Sequence, residues 1–200
     1  MILKKFSIFF IGLLIFSYGI ALAIQVQYLG IHPWDVLTIA FYDLFGLSVG
    51  TWTVIIGLTI ILFTLFARRE YINIGTFLNT FLVGVFVDMF LYLEWFPTSG
   101  LLVGDIAIML LAIVAMGIGG GTYSAAQIGL GPRDGFMLSI SDMTGKSIQR
   151  IRIYVETGVL VLGLVLGGPV FVFTFIFTFI QSPIYQRVFF AIKPYTTRVQ

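Results

Sequence analysis

Gly30-Ile31-His32-Pro33-Trp34-Asp35 and Gly129-Leu130-Gly131-Pro132-Arg133-Asp134 share the pattern Gly-x-x-Pro-x-Asp, and the offset between them (129 − 30 = 99 positions) divides a chain of 200 residues into two. The match continues without a gap through Asp43/Asp142, Gly46/Gly145 and Ser48/Ser147, and two long apolar segments follow each motif. The chain therefore reads as a duplicated unit. A fold built from two halves of one membrane unit is a recurring plan for transporters and related pores.

The composition around the motifs is that of a protein in lipid: 59% hydrophobic and 10% charged residues, with a mean hydropathy of +1.06. Uncharged runs too long for a soluble core helix exclude a water-soluble domain. The net charge of +2 is small and scattered, and no basic cluster interleaves with aromatics, so no nucleic-acid partner is expected. The absence of cysteine removes disulfides, thiolate metal sites and thiol catalysis. With one histidine, His32, a multi-histidine metal centre is impossible. No Walker loop, Gly-x-Ser-x-Gly elbow or His-Glu-x-x-His occurs, and no cofactor is expected.

A spanning helix needs about 20 apolar residues. The charges cut the chain into six such pieces, at about 6–24, 50–67, 72–92, 106–125, 151–166 and 170–189. Gly167-Gly168-Pro169 makes a tight break between the last two. Lys4-Lys5, an apolar run and Ala21-Leu22-Ala23 look superficially like a cleavable signal peptide. However, Gly19-Ile20 is matched by Gly117-Ile118 ahead of the second motif, so the first helix is expected to belong to the fold.

On this reading all eleven Lys and Arg residues fall on one side: Lys4, Lys5, Arg68, Arg69, Arg133, Lys146, Arg150, Arg152, Arg187, Lys193 and Arg198. The positive-inside rule then places both termini and the second and fourth connections in the cytoplasm, and the 28–49, 94–100 and 167–169 connections outside. Three crossings per repeat is an odd number, so the halves are inverted with respect to each other. The expected architecture is all-α: a single transmembrane domain over 1–200, with repeat one at about 6–92 and repeat two at about 106–189. A short extra helix follows the first crossing of each repeat.

Pro33 and Pro132 suit the first position of those helices, Asp35 and Asp134 follow two residues later near the positive end, and Gly46 and Gly145 suit the C-terminal cap. Residues 34–42 are apolar on nearly every face, which predicts burial, whereas residues 134–140 are more amphipathic and suit the cytoplasmic interface. Two readings follow. Re-entrant helices would present free backbone N–H groups to a solute from opposite faces. Alternatively, the Gly-x-x-Pro turn only reverses the chain and each aspartate caps its own helix. The candidate solute-binding residues are Gly30, His32, Pro33, Asp35, Gly129, Pro132, Arg133 and Asp134.

Other polar residues invite plainer readings. Glu156, four residues after Arg152, is expected to form an ion pair with it near the cytoplasmic surface. Asp88 lies about 25 Å of helical rise into the third crossing, toward the outer rim, where a carboxylate is solvated. Asn79, Thr80, Gln127 and Gln181 lie deeper and suit interhelical hydrogen bonds or solute contacts. Gly117, Gly119, Gly120, Gly121, Gly163 and Gly167 are expected to let helices approach closely.

The paired motifs, together with Ile74-Gly75-Thr76, Gly129-Leu130-Gly131-Pro132-Arg133-Asp134-Gly135, Arg150-Ile151-Arg152 with Glu156, and Gly167-Gly168, resemble the bacterial YczE/YyaS/YitT-type integral membrane proteins over almost the whole chain. The resemblance implies a multi-pass protein of the bacterial plasma membrane and names no substrate. His32 stands where the second motif has Gly131, and Phe173-Thr174 replaces Gly75-Thr76, so a strictly symmetric site is not expected.

The leading functional expectation is a small transporter or exporter, since inverted repeats supply two equivalent half-sites. The alternative is a non-transporting scaffold or accessory subunit. A membrane enzyme is disfavoured because no nucleophile, metal set or acid–base pair is visible. The expected partners are the lipid bilayer and a small solute the sequence does not name; assembly with further copies of the chain is compatible with it.

Overall fold

The computed structural model describes residues 2–94 and 100–197, and these form eight α-helices: α1 (Ile2–Gln25), α2 (Pro33–Phe45), α3 (Val49–Arg68), α4 (Ile74–Leu93), α5 (Leu102–Ala125), α6 (Pro132–Thr144), α7 (Ile148–Val165) and α8 (Val172–Thr197). No strand occurs among the described residues. Single 3-10 turns at Gln27–Leu29 and Arg69–Tyr71 lead out of α1 and α3. The chain is thus an all-helical, polytopic membrane protein. Five helices, α1, α3, α4, α5 and α8, are long and apolar enough to cross a bilayer. The fifth expected crossing coincides with α7, whose 18 residues carry Arg150, Arg152 and Glu156 and fall short of that standard. Most of the expected outer 94–100 connection lies outside the described residues.

The helix ends follow local chemistry. Pro33 and Pro132 open α2 and α6, where a missing N–H costs nothing, and Gly46 and Gly145 end them at φ +72° and +66°. Asn73 and Thr76 form a reciprocal capping box at the start of α4. Ser48 accepts from the Thr51 N–H at the start of α3 and donates to Asp88, which also accepts from the Gly50 N–H. Asp88 is therefore no free rim carboxylate. It ties the start of α3 to α4.

Glycine decides how the long helices pack. A Cβ on Gly12 of α1 would lie 2.4 Å from the Tyr123 nitrogen, and one on Gly119 of α5 would lie 2.3 Å from the Phe16 nitrogen. The two backbones therefore touch, as small residues allow in membranes. This α1–α5 pair is the centre of the bundle, flanked by α4 on α1 and α8 on α5. The short helices cross over: α2 packs on α7, and α6 packs on α3. Gly163 admits Val36 and Leu37 of α2, whereas Gly167 meets nothing and serves a turn at φ +89°. Large apolar side chains such as Phe63, Phe66, Val85 and Phe179 cover the outside.

One pairing has no counterpart. Helices α3 and α4 lock through Gly50, Gly57 and Gly84: a Cβ on Gly50 would lie 2.1 Å from the Gly84 carbonyl oxygen, and one on Gly57 would lie 2.6 Å from the Thr80 methyl. At the repeat-related positions stand Gln149, Glu156 and Ser182. Helices α7 and α8 share no such packed face among the described residues, and Thr178 Oγ1 spans the gap to donate to Glu156 Oε2 at 3.1 Å.

Candidate functional site

The two motifs, distant in sequence, meet. Arg133 Nη2 at the start of α6 lies 3.4 Å from Asp35 Oδ1 in the first turn of α2, and the Arg133 guanidinium stacks over the Trp34 ring, 5.2 Å from its centroid. Trp34 and Arg133 hold the same position in the two motifs. The N-termini of α2 and α6 therefore converge on one place. Residues 33–40 of α2 are all buried, as their uniformly apolar faces predict.

The polar side chains form a linked set. His32 caps α2: the Trp34 N–H donates to its Nδ1 at 3.4 Å, which puts the ring proton on Nε2. His32 Nε2 lies 4.0 Å from Glu156 Oε1, and the ring packs edge-on against Phe177. Arg152 Nη2 lies 3.6 Å from Asp134 Oδ1. Two expectations are corrected here. Glu156 does not pair with Arg152, because Asp134 takes that arginine and Glu156 turns toward His32 and Thr178. Nor does either aspartate cap its own helix: His32 caps α2, and no side chain caps α6.

These groups surround a cavity of ≈ 110 Å³ lined by every helix. At about 10–15 Å³ per water position this holds several waters or one small solute. The α2 and α6 ends contribute His32, Trp34, Gly131, Pro132, Arg133 and Asp134; α4 and α5 contribute Asn79, Thr80, Gly120 and Tyr123. Arg152, Glu156, Thr178, Gln181, Ser182 and Tyr185 form the α7 and α8 wall. On the α3 and α4 wall Ile56, Gly57, Asn79, Thr80 and Val83 are buried and only Thr53 is partly exposed, whereas the α7 and α8 lining residues are all partly exposed. The cavity therefore opens toward the α7–α8 gap.

Of the eight candidate residues, His32, Pro132, Arg133 and Asp134 line the cavity. Asp35 stands behind Arg133, 3% exposed, with Oδ2 unpartnered. Pro33 is buried at the start of α2. Gly30 and Gly129 bind no cavity but seat the motifs: a Cβ on Gly30 would lie 2.7 Å from Thr174 Oγ1, and one on Gly129 would lie 2.5 Å from Asn73 Oδ1. Gln127 is exposed at φ +56° and contributes nothing. Tyr123 and Tyr185 escaped the sequence reading. Their signal was the glycine run of α5, since Gly120 and Gly121 make room for Tyr185. Among the described residues no cluster of three or more His, Cys, Asp or Glu side chains is arranged to hold a metal ion.

Comparison with known proteins bears on this arrangement as a whole. Residues 3–189 match the family of unknown function DUF6198. The chain belongs to that family. The uncharacterized membrane protein YczE of Bacillus subtilis (strain 168) is 37% identical over 166 residues, covering 83% of this chain and 76% of that protein. The uncharacterized protein YyaS of the same organism is 29% identical over 169 residues, 83% of each chain. An uncharacterized protein of Haemophilus influenzae (strain ATCC 51907 / DSM 11121 / KW20 / Rd) is 30% identical over 167 residues, 84% of this chain and 75% of that one. No solved structure matches the chain. The YczE and YyaS matches agree with the resemblance read from the motifs, and the name of the former agrees with a place in the membrane.

Proposed function

We propose that this DUF6198 protein is a small transporter that binds its solute in the central cavity, at the point where the two Gly-x-x-Pro-x-Asp motifs meet. One observation carries the reading: an otherwise apolar helical bundle keeps Arg133, Asp134, Arg152, Glu156 and His32 around an open interior space, with both motifs contributing. Ionisable groups at depth in a membrane are costly and are typically retained for ion or solute pathways. The non-transporting scaffold remains the competing reading, favoured by the way Arg133 and Arg152 are already engaged by aspartates.

In this proposal α7 also crosses, as the fifth of six in chain order, with its charges turned inward, and the halves are inverted repeats in the plasma membrane with both termini cytoplasmic. The contacts support it, since they join residues assigned to the same side. Tyr71 hydrogen-bonds Asp142, and Lys4 lies over the Tyr195 ring, all toward the cytoplasm. Tyr28 donates to Asp105 at 2.6 Å, and Gly30 packs on Phe171, all toward the outside. On this topology α2 dips from outside and α6 from inside, which is the re-entrant arrangement. The cavity is then reached between α7 and α8 while α3 and α4 are sealed.

The test is flux in proteoliposomes across a panel of small organic ions and metabolites. Wild-type protein is expected to move at least one class, and Asp35→Asn and Asp134→Asn are expected to abolish movement at normal folded abundance. Flux retained in both variants would falsify the site. Loss of folded protein in both would favour the scaffold.

A further inference from the structure

Resting on the transport reading above, we infer that the solute is a small organic anion, a monocarboxylate whose oxygens are taken by the motif ends and whose short apolar tail lies against Ile20, Ile56, Val83, Met116 and Met137 of the cavity wall. Three independent features point to an acceptor-rich ligand. The first is orphaned donors. Among the cavity-lining residues, Trp34 Nε1, Asn79 Nδ2 and Arg152 Nε are buried with no hydrogen-bond partner. All three are N–H donors. A buried donor left unmade is expensive, so each would gain from an acceptor oxygen brought by a ligand. Trp34 and Asn79 are 4% and 5% exposed, so bulk solvent does not supply the missing partner.

The second feature is the helix ends. Both α2 and α6, 13 residues each, begin at the cavity, and α6 has no side-chain cap. The first N–H groups of α2 are already taken by His32, so the uncapped α6 end is the one that favours an anion there. The third is the pair of guanidinium groups. Arg133 and Arg152 each engage an aspartate at 3.4 Å and 3.6 Å through one Nη atom and keep 20% and 33% side-chain exposure, so further guanidinium donors are left for a carboxylate.

The carboxylates of the site set the charge balance. Arg133 and Arg152 against Asp35, Asp134 and Glu156, with His32 neutral, give 2 − 3 = −1. A second negative charge is accommodated when one proton joins the His32–Glu156 pair, whose facing atoms are 4.0 Å apart. The other ionisable groups around that pair are Arg133 and Asp134 from α6, Arg152 from α7, Tyr123 from α5, Tyr185 from α8 and Asp35 from α2. Binding then takes up a proton, so affinity rises as pH falls.

The test uses the full-length protein in lipid nanodiscs, with acetate, lactate and benzoate as probes and tetramethylammonium as the cationic control, read by thermal shift and isothermal calorimetry. Saturable carboxylate binding that tightens as pH falls is expected. Asn79→Asp replaces the orphan donor with an acceptor at constant shape and should weaken binding roughly 10- to 100-fold. Trp34→Phe, which deletes the N–H and keeps an aromatic face for Arg133, should do the same if Asn79→Asp fails to fold. No carboxylate binding by folded wild-type protein, a preference for tetramethylammonium, or unchanged affinity in the folded variants would overturn the inference. Carboxylate binding without flux would sustain the anion site while refuting the transport reading, so the two fail separately.

Discussion

Breaking the contact between the motifs should cost far more than a surface charge does. Arg133→Gln removes the partner of Asp35, whose carboxylate is 3% exposed and already has Oδ2 unpartnered. Removing one partner of a buried ion pair costs about 3–5 kcal/mol, because the other charge is left stranded. Asp35→Asn is milder. The Arg133 side chain is 20% exposed, stays over Trp34 and faces the cavity, so about 1–3 kcal/mol is expected, the cost of one lost charged hydrogen bond. The double variant should recover part of the sum, with a coupling of about 1–3 kcal/mol, because a neutral Asn–Gln pair leaves no buried charge. Unfolding free energies from SDS titration in mixed micelles measure all four corners of the cycle. Effects that add to within about 0.5 kcal/mol would show that the motifs are not in contact and would refute the reasoning.

Three further outcomes are expected. Gly50→Ala forces a Cβ to 2.1 Å from the Gly84 carbonyl and should destabilise the protein by about 1–3 kcal/mol or more, whereas Gly158→Ala, at a helical glycine with open space, should stabilise it by about 0.5–1 kcal/mol; equal effects in the same titration would contradict the glycine account of the α3–α4 seal. Since the chain has no cysteine, single cysteines report topology: an impermeant thiol reagent added outside intact cells should label Leu101→Cys but not Met143→Cys, both exposed positions, and the reverse pattern would refute the orientation. Glu156→Gln removes the carboxylate facing His32 and Thr178 and should lower flux with folded abundance unchanged; full flux would return Glu156 to a merely structural role.

Much of the architecture was legible because it rests on local rules. Proline at the first position, glycine at the cap and matched offsets marked α2 and α6, and five of the six apolar pieces coincide with helices long and apolar enough to cross a bilayer. Asp35, Asp134 and Arg133 were legible as candidates because they recur or stand at repeated positions. Their partners were not. Which arginine meets which acid depends on helix crossing, and the i, i+4 rule that joins Arg152 to Glu156 loses to Asp134, which α6 brings within 3.6 Å. Likewise, the sequence spacing of Asp88 gave no sign that the α3 N-terminus would lie against it. Tyr123 and Tyr185 were hard to single out for the same reason: aromatic residues abound in this chain, the glycine run of α5 signals only a bulky neighbour, and the packing against Gly120 and Gly131 identifies which.

The central claim, that the space where the motifs meet is a solute site reached in turn from each side, does not depend on knowing the solute. A cysteine at Gln181, which lines the cavity beside the α7–α8 gap, is the most direct probe. With an impermeant thiol reagent, the account predicts labelling of Gln181→Cys in right-side-out vesicles and also in inside-out vesicles, with both rates slowed by a bound solute. Labelling from one face only, or from neither, in folded protein would contradict it and leave the paired motifs as elements of a scaffold.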